Sequence, residues 1–125
     1  MAAPTREDAT LVVQLATLGA ELALAEATNF IWSDQFVGEY EEFKRRHAPG
    51  SKGFEQVNKT AGWYETIATL VKNDLLSAEL VHDWLAVEMT WRRLEGILVG
   101  MREESGEPRL FENFQALAAR VPTPA

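Results

Sequence analysis

The residues that could do chemistry are few and scattered. Glu79-Leu80-Val81-His82 sets a carboxylate and an imidazole three positions apart. On a helix that step projects both side chains the same way, as di-iron bundles require. Such a centre needs the step on two helices and a further carboxylate from each of two more. Here the step occurs once, and the second of the two histidines, His47, falls in a loop beside Pro49 and Gly50. The expected reading is a solvated helix face, with no metal and no cofactor.

Nucleophilic catalysis has no better footing. The chain has no cysteine, which removes thiolate nucleophiles, disulfides, iron–sulfur clusters and cysteine-ligated zinc together. No Gly-x-Ser-x-Gly elbow is present. Gly50-Ser51-Lys52-Gly53 lacks the spacing of a phosphate-binding loop and reads as a flexible connection. Lys44-Arg45-Arg46, with Lys52 and Lys59 nearby, is the one basic concentration. Three of these fall in the last turn of a predicted helix, where positive charge complements the helix dipole. A phosphate site is the sharper alternative. The chain as a whole carries 12 basic and 19 acidic residues, a net charge of −7, which repels phosphate backbones and anionic membranes. Neither nucleic acid nor membrane is an expected partner.

The elements that would carry any site are helical. The chain has 125 residues, 46% of them hydrophobic, enough for one domain with a core of its own. Interior prolines occur only at 49 and 108, and the stretches between them favour helix formers. A first helix is expected after Thr5, whose spacing to Asp8 is that of a capping box, and should run to about Ala27. Thr28 to Asp34 either continues that helix or breaks it. Ser33 is the candidate cap of a second helix through Arg46, with Phe36, Tyr40 and Phe43 inward. A third helix is expected from Phe54 to Lys72, on a stripe of Phe54, Val57, Ala61, Tyr64, Ala68 and Val71. Gly62 either weakens it or lets a neighbour approach.

Ser77 should cap a fourth helix reaching Glu104, on which Leu80, Trp84, Val87, Trp91, Leu94, Leu98 and Met101 alternate steps of four and three. A short fifth helix spans about Arg109 to Arg120, with Leu110, Phe114 and Leu117 on one face. Short connections favour antiparallel neighbours. The expected fold is therefore all-α: an antiparallel bundle of four main helices and a short C-terminal helix, in one domain over 1–125 with disordered ends at about 1–5 and 121–125. The first helix is interrupted by Gln14, Glu21 and Glu26, which argues against a membrane span or secretory leader and for a cytoplasmic chain.

The C-terminal half carries a resemblance. Leu70-Val71-Lys72-Asn73-Asp74-Leu75-Leu76 with Glu79-Leu80-Val81 opens it. Trp91-Arg92-Arg93-Leu94 and Arg102 continue it, and Glu107-Pro108-Arg109-Leu110-Phe111-Glu112-Asn113-Phe114 with Leu117-Ala118 closes it. Over about positions 60 to 118 the chain resembles a bacterial helical family known as domain of unknown function 4760. The resemblance implies a bacterial helical protein and names no chemistry. Some members of that family carry an N-terminal membrane segment, which the acidic residues of this first helix do not match.

Without a catalytic constellation, the aromatics are the remaining signal. Trp84, Trp91, Leu94, Leu98 and Phe114 are expected in the core. Trp32 and Trp63 are candidates for an exposed interaction surface. Tyr64, His82 and Glu88 are candidates for the edge of an interhelical pocket. Asn113 is expected to hydrogen-bond the loop near Pro108, and Arg102 to pair with Glu112. The leading expectation is a non-enzymatic interaction module that self-associates as a homodimer. A small-ligand-binding bundle, or a minor enzyme with an interhelical pocket, is the alternative. A phage-defence or toxin-neutralising role is a third, which no residue selects.

Overall fold

A computed structural model describes residues 3–120. The expected disordered tail, 121–125, and the first two residues lie outside the described residues. Among the described residues the chain is all-α, with seven helices where the sequence suggests five.

Helix α1, Arg6–Glu21, starts on the expected capping box. The Thr5 hydroxyl accepts the Asp8 amide, and the Asp8 carboxylate accepts the Thr5 amide at 2.7 Å. It ends six residues before the expected Ala27. Leu22 closes the last turn and Ala23 takes a left-handed conformation with φ 56°. The chain then bends by 75° into α2, Leu24–Ile31. Gly19 makes this elbow fit: a Cβ there would stand 3.0 Å from Leu24 Cδ1 and 3.4 Å from the Trp63 ring. Ser33 does not cap a second helix. Its hydroxyl instead donates back to the Phe30 carbonyl at 2.7 Å. Residues 34–39 are irregular, and α3, Tyr40–Arg46, is capped by Glu39, whose carboxylate accepts the Glu41 and Glu42 amides.

Helix α4, Lys52–Lys72, is capped by Ser51 and is the longest at 21 residues. It buries Val57, Ala61, Tyr64, Ile67, Ala68 and Val71. Gly62 admits no close neighbour, because a Cβ there would meet nothing within 4 Å.

Ser77 caps the next helix as expected, accepting the Leu80 amide at 3.2 Å, but that helix is not continuous. It divides into α5, Ala78–Trp84, and α6, Val87–Ser105, at an extended Leu85. The burial pattern gives the reason. Val81 and Val87 are both fully buried, yet on one straight helix six steps of about 100° would turn them to different faces. The break brings both inward. It also takes Leu80 and Trp84 off the stripe that holds Trp91, Leu94 and Leu98.

The long helices α4 and α6 form the frame. Helix α4 packs against α2 and also meets α6, while α6 packs against α3. Helix α7, Glu112–Ala119, packs on both α4 and α6. Its Phe114 is fully buried, stacked on Tyr64 of α4 at 4.8 Å and edge-on to Trp91 of α6 at 5.1 Å. Helix α1 lies outermost, against α2.

No helix among the described residues is long and apolar enough to cross a membrane. Helices α1 and α2 reach that length and apolarity only as a pair bent by 75°.

Candidate functional site

Two features of the surface involve the first helix: the exposed side of α1 and a groove beside it. Helix α1 buries only Asp8, Leu15 and Gly19. These fall at steps of seven and four on one face, where the half-buried Leu11 and Val12 also pack against the core. Leu18 and Leu22 edge that face, whereas Val13 lies on the opposite side of the helix. Val13 is 65% exposed, Leu18 40% and Leu22 38%.

The groove runs between the α1–α2 elbow and the α4–α5 face, with a volume of about 440 Å³. Ala16, Ala20 and Leu24 stand on one side. Trp63, Trp84 and Leu85 stand on the other, with the two indoles edge to face at 5.6 Å. Thr60 and Tyr64 also line it. Thr60 is buried and its hydroxyl has no hydrogen-bond partner; the Trp63 indole nitrogen is likewise buried and unpartnered. The Tyr64 hydroxyl lies 3.4 Å from that of Thr90, which gives its own proton to the Ala86 carbonyl at 2.7 Å. Tyr64 is therefore the donor of that pair. Burial pushes the Tyr64 phenol above its ordinary range.

The structure divides the residues singled out from the sequence. Tyr64 lines the groove, whereas His82 and Glu88 line a separate depression with Glu79, Asp83 and Met89. The three do not converge on one pocket. Burial holds the His82 imidazole below its usual range. Trp91, Leu94, Leu98 and Phe114 are buried, while Trp84 is half-buried against Trp63. Trp32 is 46% exposed, and the Arg93 guanidinium stands 5.2 Å over its ring. The same Arg93 donates to the Ile31 and Ser33 carbonyls and so ties α6 to the end of α2. Trp63 is half-buried beneath the elbow.

Two expected pairings are replaced. Arg102 does not reach Glu112. Its guanidinium forks onto the Leu110 carbonyl at 3.0 and 2.9 Å and onto Gln115 at 2.8 Å, while Glu112 pairs with Arg109. Asn113 donates to the Thr69 hydroxyl of α4, away from the loop at Pro108. Four of the five residues of the basic concentration are in ion pairs: Lys44 with Glu41 and Glu104, Arg45 and Arg46 with Glu42, Lys52 with Glu26. Among the described residues no group of three or more His, Asp or Glu side chains is placed to hold a metal ion.

Sequence reasoning missed the groove. Its walls lie on four helices, and one of its two indoles, Trp84, is the last residue of α5 before the chain breaks.

Helical architecture and sequence agree on the class. A family model described as a domain of unknown function, number 4760, matches residues 4–121, and the chain belongs to that family. The match extends well beyond the C-terminal half in which the resemblance is first visible. No curated protein and no solved structure matches the chain.

Proposed function

We propose that this chain is a non-enzymatic helical interaction module that pairs with a second copy of itself through helix α1. The observation that carries this reading is the exposure of Leu18 in α1 and of Leu22 at its end, one helical turn apart beside the face that meets the body. From Ala9 to Ala20 the helix carries no charge, a length of about 18 Å. Packing that stretch against protein therefore desolvates no ion. A two-fold pairing sets the same patch against itself, so one apolar surface suffices for both partners. The scatter of Tyr64, His82 and Glu88 over separate depressions speaks for an interaction protein over an enzyme.

The absence of cysteine fits a reducing cytoplasm, and the resemblance to a bacterial family supports a bacterial source. The net charge of −7 favours protein partners over nucleic acid or membrane surfaces.

Light scattering on Leu18→Asp and Leu22→Asp tests the reading. Both positions face water in the single chain, so the variants keep the helical circular dichroism spectrum. The native chain is expected to run as a dimer and both variants as monomers. Native and variant chains of equal, monomeric mass would overturn it.

A further inference from the structure

We infer that the groove beneath the α1–α2 elbow binds a small, uncharged, mainly aromatic molecule that carries one hydrogen-bond acceptor. This inference does not rest on the pairing of α1.

The chemistry follows from what the groove offers. Its volume, about 440 Å³, is in the range of sites for small organic molecules. Two indoles set edge to face leave ring surfaces for a flat partner. No Asp, Glu, Lys, Arg or His lines it. A charged ligand would lose its hydration there and gain no counter-ion, so the ligand is neutral.

The acceptor is fixed by two side chains with unmet hydrogen-bonding capacity. Thr60 is 4% exposed and its hydroxyl has no partner; the Trp63 nitrogen is buried and has none either. Buried polar groups are nearly always paired, and an orphan costs stability until it is satisfied. An indole nitrogen only donates, and a hydroxyl can donate. A carbonyl oxygen, which has two lone pairs, can accept from both. Of the other two hydroxyl side chains on the groove, Tyr64 already donates to Thr90, and Thr28 is exposed to water.

Both orphans are shielded from water, so the ligand reaches them as the elbow moves outward. The elbow is suited to that movement. Helix α1 approaches the Trp63 ring through Gly19, which has no side chain to interlock, and the bend rests on the left-handed Ala23.

The test uses two probes of similar shape, acetophenone with an acceptor and toluene without. They are titrated into the isotope-labelled full chain while the four tryptophan indole N–H signals are followed by NMR. The Trp63 signal is assigned from Trp63→Phe. Acetophenone is expected to move the Trp63 signal saturably downfield, with the Trp84 signal shifting beside it. Toluene is expected to shift Trp84 without the downfield movement of Trp63. Thr60→Val is expected to weaken acetophenone about fivefold and leave toluene unchanged. Ala16→Trp, a substitution at an exposed helical position, fills the groove and is expected to abolish both. The absence of saturable movement at Trp63 up to the solubility of acetophenone would overturn the inference. So would undiminished binding to Ala16→Trp.

Discussion

The backbone carbonyl of Gly38 fills the space that a side chain at Gly96 would need. One helical turn further on, the Tyr40 ring lies over Gly100 in the same way. This pair of glycines lets the segment before α3 lie directly on α6. Gly62 is the opposite case, a helical glycine with open space where its Cβ would be. Gly96→Ala is expected to lower stability by about 1–3 kcal/mol, because a backbone carbonyl cannot rotate aside as a side chain can. Gly62→Ala is expected to raise it by about 0.5–1 kcal/mol through helix propensity alone. Urea denaturation of the two variants checks both signs.

Asp8 joins two parts of the chain. One carboxylate oxygen caps α1 through Thr5, and the other accepts the Ser77 amide, 2.9 Å away, at the start of α5. The Thr5 amide first, and the Ser77 amide after it, hold the carboxyl below its ordinary range. A depressed carboxyl pKa stabilises the fold above the unfolded value and stops doing so as pH falls through the folded one. Asp8→Asn is expected to melt at a lower temperature than the native chain at neutral pH. The difference should shrink in strong acid, once the native carboxyl is protonated too.

His82 acts in a higher window. Burial lowers its pKa, so the unfolded chain takes up a proton near pH 6.5 that the folded chain resists. Its contribution is unaffected above that pH and is lost as the pH falls below it. Melting temperatures between pH 7 and pH 5 are expected to drop less steeply for His82→Gln than for the native chain. Parallel curves would assign the acid sensitivity elsewhere.

Arg102 holds the final helix. With its three hydrogen bonds to Leu110 and Gln115, it satisfies a loop carbonyl and fixes the approach to α7. Arg102→Met keeps the aliphatic stem and removes the fork. A loss of about 2 kcal/mol is expected. Hydrogen exchange should rise in α7 ahead of α4, since α7 is the element released.

The features visible in the sequence are those written in local chemistry. Thr5 and Ser77 cap helices because their hydroxyls meet free amides three residues on, and the α4 stripe repeats at the helical period over 21 residues. The two breaks were hidden for a physical reason. Ala23 and Leu85-Ala86 are helix formers with no proline or glycine among them, and Leu80, Trp84, Val87 and Trp91 keep an uninterrupted helical spacing. Tertiary packing decides there: Leu24 seats over Gly19, and Val81 and Val87 enter the core together. The groove was hidden with the breaks. Tyr64 could be singled out from α4 alone, but its neighbours Trp84, Ala16 and Ala20 reach it only once both bends are made.

Self-association through α1 is tested most directly by sedimentation equilibrium of the native chain over the micromolar range. The predicted result is a mass that rises with concentration toward twice the 14.0 kDa of one chain. Leu18→Asp should hold it at 14.0 kDa throughout. A native chain that stays at 14.0 kDa at every concentration would contradict the account.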